Sequence, residues 1–305
     1  MTNTAKNKSR LICFILVLAL LLAYTPGLAD TAYADAEQTV VLTLDTNVHD
    51  VTTQIATNNL TSEVSFESGA EANTYKLTLT NADLPNLQIE SYLPGQNKLE
   101  VYLDGDTTIG AFKSGCEGNR SNDVTFKSVN SNTQTLNTDS IDIFYDGDAK
   151  LYFTDVNVNA DALNITTGAL SGGHGSVEVY AQGSEMNVSE LHATVPNMIK
   201  LSNHDTKGGS YNFEDITFSG GLLCIEHADV AVDALTATAT EEDKGFVRVN
   251  GGNLDVTGHL TANALQLARG EGSIAGSLEN VGCIEYYSAG NRVHTKAAGL
   301  SDAIL

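Results

Sequence analysis

The sequence predicts an all-β chain wound into a right-handed parallel β-helix, a β-solenoid of about nine coils behind an N-terminal β cap. Three observations carry this. The run from Asn253 to Gly270 places its apolar residues in pairs two apart, Leu254/Val256, Leu260/Ala262 and Leu265/Leu267, with polar residues or Gly between them. Side chains alternate across a strand, so each pair is a short strand with one buried face. Three such strands within one short stretch, separated by only two or three residues, suit one coil of a solenoid better than three hairpin-linked strands. Pairs of the same kind then recur: Leu77/Leu79, Leu99/Val101, Val124/Phe126, Leu151/Phe153, Val177/Val179, Tyr211/Phe213, Val230/Val232, Leu254/Val256 and Ile274/Gly276. Finally, the chain holds 27 Gly and four Pro and lacks any long stretch with helical periodicity.

In chain order, residues 1–34 have the make-up of a secretory leader. Lys6, Lys8 and Arg10 precede the apolar stretch Leu11–Tyr24, and Ala32-Tyr33-Ala34 forms a small-x-small cleavage site. The apolar stretch is shorter than a membrane-spanning helix needs, so the mature chain is expected to carry no transmembrane segment and to be secreted or held at the cell surface. Residues 35–75 read as irregular strands that cover the first coil, whose open edge would otherwise be exposed. Residues 76–292 are assigned to the β-helix and 293–305 to a C-terminal tail. Coil lengths vary around the low twenties, with one long interval between Val177 and Tyr211. Variable turns on fixed faces favour the right-handed form over strict hexapeptide or nonapeptide repeats. Asp104-Gly105-Asp106 and Asp146-Gly147-Asp148 read as matching tight corners.

Removing the leader takes away three of 16 basic residues and one of 38 acids, leaving 13 against 37 and a net charge near −24. Such a surface repels phosphate backbones, which argues against nucleic acid as a partner. Cys13 leaves with the leader, and Cys116, Cys224 and Cys283 are too few for a disulfide framework. In the coil register Cys224 and Cys283 lie three coils apart, about 14 Å, and are expected to be unpaired.

Candidate binding residues follow from the same register. Tyr102, Tyr152 and Tyr180 fall on the first face, beside Glu100, Glu178 and Asn212, a set that would stack on and hydrogen-bond to sugar rings. The paired carboxylates Asp104/Asp106 and Asp146/Asp148 make calcium the one cofactor the chain suggests, although two carboxylates supply only part of its oxygen shell. On the second face Asn157, Thr217, Thr236 and Thr261 align. A column of Asn164, Lys200, Cys224, Arg248, Gln266 and Glu285 is assigned to the third. No nucleophile elbow, zinc-binding helix motif, phosphate loop or Cys-x-x-Cys is present, so no catalytic residue is assigned.

Over roughly Tyr75 to Arg292, the paired apolar positions and variable turns resemble the pectate-lyase-like right-handed β-helix superfamily. Within it they are most similar to secreted bacterial adhesin-like and carbohydrate-binding members. The resemblance implies a protein that recognises a polysaccharide or other surface ligand on an exposed solenoid face. The enzymes of that superfamily act through clusters of Asp, or Asp with Arg, on one face, and no such motif carries over here. A polysaccharide lyase or glycoside hydrolase is the alternative, with Glu178 and Asp255 as its acids, about three coils and 14 Å apart. A structural surface rod is the third possibility.

Overall fold

The computed structural model describes residues 38–44, 51–55, 62–69, 71–92, 98–116, 121–130, 132–168, 175–203, 208–238, 245–268, 271–274, 277–279, 281, 283–288 and 291–295. The leader expected over 1–34 lies outside them. The described residues form strands and turns without a helix, wound into a parallel β-helix whose coils stack through two long ladders.

The first ladder is the first face. It runs through β4 (Thr74–Thr80), β6 (Lys98–Asp104), β8 (Ser121–Ser128), β10 (Asp148–Thr154) and β12 (Ser176–Gln182). It continues through the ends of β13 (Glu185–Ser202) and β14 (Ser210–Glu226), then β16 (Phe246–Asn250), β18 (Ala264–Ala268) and β21 (Cys283–Ser288). The second ladder holds β5 (Asp83–Tyr92), β7 (Thr107–Cys116), β9 (Gln134–Tyr145), β11 (Val156–Thr167) and the starts of β13 and β14. It ends in β15 (Asp229–Thr238), β17 (Asn253–Thr261), β19 (Glu271–Ile274) and β20 (Ser277–Glu279).

Both ends close with antiparallel strands. β1 (Gln38–Leu44) pairs parallel with β5 and antiparallel with β2 (Val51–Ile55), while β3 (Val64–Ser68) pairs antiparallel with β4. At the far end β22 (Asn291–Thr295) runs antiparallel to β21. The outermost first-face rungs, β4 and β21, therefore each belong to an antiparallel pair, and about seven full turns lie between these closing pairs rather than the nine expected.

The strands of the second ladder bend. β11 buries Val156, Val158 and Ala160, then exposes Asp161 and the half-buried Ala162 in succession before burying Leu163, Ile165 and Thr167. Two successive outward residues break the period-two alternation, and the chain turns there. Asp139, Asp161, Ser189, Glu214 and Asp233 occupy this bend, and all drop out of the pairing register between neighbours that stay in it. The bend divides the ladder into second and third faces, giving the three-sided coil that the sequence predicts.

The long interval between Val177 and Tyr211 is one added rung. β13 crosses the second and third faces and then, over Met198–Ser202, pairs with β12 on the first. Tyr211 pairs with Met186 on the second face. The predicted column therefore moves from the first face to the second at this point. Asn212, Ala231 and Asp255 sit on the second face with Asn187, not with Glu178. Three expected alignments also slip by one alternation: Leu77 pairs with Val101, Leu151 with Val179, and Val256 with Ile274. The column from Lys200 through Cys224, Arg248 and Gln266 to Glu285 is in register but lies on the first face, and Asn164 is not part of it. Thr217, Thr236 and Thr261 align with one another as expected, but on the third face, past the bend; of that set Asn157 alone lies on the second face.

Inside, one continuous core follows the axis. Phe126 stacks on Phe153, centroids 5.1 Å apart, and meets the edge of Phe112 at 4.9 Å. Tyr211 is fully buried, and its hydroxyl donates to the carbonyls of Val179 and Ser202, both at 2.8 Å. Cys224 is buried and Cys283 partly so, and the two are not bridged to each other, as the register predicts. Burial pushes the Cys224 thiol up to about 11, with the nearby Glu226 charge adding to the effect.

β14 passes from the third face to the first without a loop because Gly220 and Gly221 lie directly over the preceding coil. A Cβ at Gly220 would sit 1.8 Å from the Val195 carbonyl oxygen, and one at Gly221 2.1 Å from that of Asn197. Gly220→Ala should therefore lower stability by roughly 2 kcal/mol or more. Gly208→Ala, with φ of +74° and nothing within 4 Å of its Cβ, should cost only the left-handed backbone penalty of about 1 kcal/mol. Urea unfolding of the two variants checks this, and equal losses would mean that close coil approach is not the constraint.

Candidate functional site

The first-face tyrosines do not form one platform. Tyr152 and Tyr180 pair in register and stack on each other, centroids 4.7 Å apart and 8° from parallel. Tyr102 lies in a different column, in register with Lys127. Its ring carries the ammonium groups of Lys76 at 4.7 Å and Lys127 at 4.5 Å, from the rungs before and after. These rings already have partners on the faces that a sugar would use.

Their acidic neighbours are engaged too. Glu100 accepts hydrogen bonds from Lys127 at 2.8 Å and Tyr102 at 2.9 Å. Glu178 accepts from Lys200 at 2.7 Å and from the Tyr180 hydroxyl, with Lys150 at 3.9 Å on its other side. Burial acts to raise the Glu178 carboxyl, but the Lys200 and Tyr180 hydrogen bonds and the two lysine charges outweigh it and hold the group below the ordinary glutamate range. Burial likewise works against the charge on Lys200, and its contacts to Glu178 and Glu226 overcome that and raise it. On this face Lys76, Lys98, Lys127, Lys150, Lys200 and Arg248 offset Glu100, Asp104, Asp123, Asp148, Glu178 and Glu226. Among the described strands of the other two faces, Lys113 is the single Lys or Arg.

The two Asp-Gly-Asp corners occupy different positions in the coil. Asp104-Gly105-Asp106 joins the first face to the second, and Asp146-Gly147-Asp148 joins the third to the first. Their carboxylates clasp the following coil: Asp106 accepts from the Thr135 backbone N–H at 2.8 Å, Asp148 from that of Ser176 at 2.8 Å, and Asp104 from the Asn130 amide at 3.3 Å. Among the described residues no group of three His, Cys, Asp or Glu comes together as a metal site would require.

A concavity follows the bend between the second and third faces. It is a groove of about 560 Å³ that crosses six successive strands from Pro85 to Glu214. At one rung per ~4.8 Å its length is about 24 Å. Four strands contribute the same triplet: Asn137-Thr138-Asp139, Asn159-Ala160-Asp161, Asn187-Val188-Ser189 and Asn212-Phe213-Glu214. The asparagines form a ladder in which Asn212 donates to Asn187 at 2.9 Å, Asn187 to Asn159 at 3.2 Å and Asn159 to Asn137 at 2.9 Å. The middle residue of each triplet is buried and the third stands at the bend, where Asp139, Asp161 and Glu214 are exposed.

Each amide carries two N–H groups; the ladder uses one from Asn159 and one from Asn187, and Asn212 donates both to Asn187 and to Glu185 at 3.2 Å. The remaining donors stand beside carboxylate acceptors two residues on, repeated coil after coil, with no basic residue in the lining. Of the residues singled out from sequence, only Asn212 is here. The signal was nevertheless present as a recurring Asn-x-(Asp/Ser/Glu), at intervals of 22, 28 and 25 residues. Glu178 and Asp255 lie on different faces, so they do not flank a common bond.

The ionic cluster on the first face generates a pH-dependent expectation. Glu178→Gln should destabilise the protein by about 1–3 kcal/mol near neutral pH, since it leaves Lys200 with Glu226 alone. The folded-state carboxyl is depressed, so its contribution is complete above the ordinary value of 4.5 and is lost as pH falls through the lower folded value. Urea midpoints of the two proteins should converge on acidification, and a constant difference would assign the loss to packing. No protein-family model, curated protein or solved structure matches this chain, and the groove and its chemistry are what a functional reading has to stand on.

Proposed function

We propose that this is an exported, adhesin-like binding protein that holds an extended, hydroxyl-rich polymer, a polysaccharide, noncovalently along the groove between its second and third faces. The observation that carries the reading is the repeated Asn-x-(Asp/Ser/Glu) triplet. A sugar hydroxyl both donates and accepts, and the triplets at Asn137, Asn159 and Asn187 offer an amide donor, while three of the four triplets carry a carboxylate acceptor two residues on. The triplets recur at the coil rise, which is close to the length of one pyranose along an extended chain. A linear glycan lying on the axis therefore meets equivalent groups at each residue. The groove is open and shallow, which suits a chain passing through better than a small molecule enclosed. Export rests on the leader-like residues 1–34, and the binding role agrees with the resemblance to carbohydrate-binding β-helices.

The test is binding of the purified protein to plant, mucosal and bacterial polysaccharides, with calcium and with chelator, while free reducing and unsaturated sugar ends are followed. Binding without release is expected, and it should weaken about tenfold or more in Asn159→Ala/Asp161→Ala while persisting in Tyr152→Ala. Release of sugar ends would make the protein an enzyme. Loss of binding in chelator would move attention to the Asp-Gly-Asp corners, and silence across the panel would leave the structural rod.

A further inference from the structure

We infer that the first face is a contact surface between two copies of this chain, packed face to face about a two-fold axis that runs along the strands and passes between β8 and β10. The argument begins with charge order. In one column of the face, Lys98, Asp123, Lys150 and Glu178 follow one another in register, so that sign alternates from rung to rung. A two-fold axis along the strands keeps each column opposite itself and reverses the order of the rungs. Reversed about the midpoint between β8 and β10, Lys98 meets Glu178 of the second copy and Asp123 meets its Lys150, each pair formed twice.

The neighbouring columns accept the same reversal. Glu100 meets the Tyr180 hydroxyl and Thr125 meets Tyr152, while on the far side Tyr102 meets Gln182 and Lys127 meets Thr154. No like charges oppose one another. Moving the axis by one rung, to lie between β10 and β12, would put Glu100 against Glu226 of the second copy, so the pattern disfavours that register.

Three further observations support this surface. Lys150 is half exposed, and its own-chain partner Glu178 is 3.9 Å away, a loose contact that leaves it free to reach across. The described strands of the other faces are almost without bases, so two copies repel each other there and meet least resistance on the charge-balanced face. Six rungs of seven residues cover roughly 29 by 23 Å, which buries ~1,300 Å² over both copies, at the lower end of specific interfaces. The groove lies on another part of the coil and stays open on both copies.

Sedimentation equilibrium of the purified protein tests this. At low ionic strength a concentration-dependent dimer is expected, and about 0.5 M salt should dissociate it. Lys150→Glu, which sets a carboxylate opposite Asp123 at both symmetry-related positions, should weaken association roughly tenfold or more. The charge exchange Asp123→Lys/Lys150→Glu should restore it. If Lys150→Glu loses the β signature in circular dichroism, Asp123→Lys alone gives the same reading. A monomer at every concentration would overturn the inference. So would a dimer strengthened by salt, a folded single variant that dimerises like the parent, or a folded exchange variant that does not.

Discussion

In a parallel solenoid a strand's backbone donors and acceptors can be satisfied only by the coils above and below, and everything else in this molecule follows from that. A coil that drifted by one residue would turn its apolar side chains outward and leave buried amides unpaired. The corners show how drift is prevented. After successive first-face strands the chain turns through a left-handed residue, Asn81, Gly105, Asp155, Gly183, His227 or Gly251, and several of these donate their N–H to the coil that follows. Asp106 and Asp148 add side-chain clasps of the same kind. Strict register then forces like positions on top of one another at a spacing set by the backbone. Polar side chains at such a spacing must either tolerate themselves or alternate. Asparagine can do the first, since one amide donates to the next, and the charged column of the first face does the second.

This division explains why the first face is poor ground for a ligand even though it carries the aromatic residues. Tyr152 and Tyr180 satisfy each other, Tyr102 lies between two ammonium groups, and Glu100 and Glu178 are held by lysines. The face resembles a tightly compensated salt lattice. The groove differs because its ladder is internally satisfied on one edge only. Amide and carboxylate groups are fixed in position by the coil repeat and still have hydrogen-bonding capacity, which is the condition for binding without reorganisation.

Much of the fold was legible because period-two burial is a local signal. Pairs such as Leu99/Val101 and Val124/Phe126 announce a strand wherever they fall, and the separation of Cys224 from Cys283 followed from counting rungs. Face identity was not local. β13 runs 18 residues across three faces without a Gly at its bends; Pro196 marks only its last bend, at the break in pairing between Val195 and Met198, and the alignment slid onto the wrong face. The two Asp-Gly-Asp segments misled for the converse reason: identical turn chemistry serves two different corners. The groove was hidden by irregular spacing, since its Asn-x-acid triplets align only after the pairing of β9, β11, β13 and β14 is known.

The segregation of charge among the described strands has a consequence for how the molecule behaves beside a charged boundary. With nearly all of the basic side chains on one side and uncompensated carboxylates on the others, the rod has a dipole across its width as well as a net charge. Close to an anionic layer, within about a Debye length, such a body experiences a torque before it makes any contact. A single copy rolls about its long axis until the compensated side faces the layer and the carboxylate-lined groove faces the solvent, whereas in a face-to-face pair the two dipoles oppose and the torque vanishes. The orientation is achieved without an anchor and without a specific bond, and it presents the groove to whatever approaches from outside.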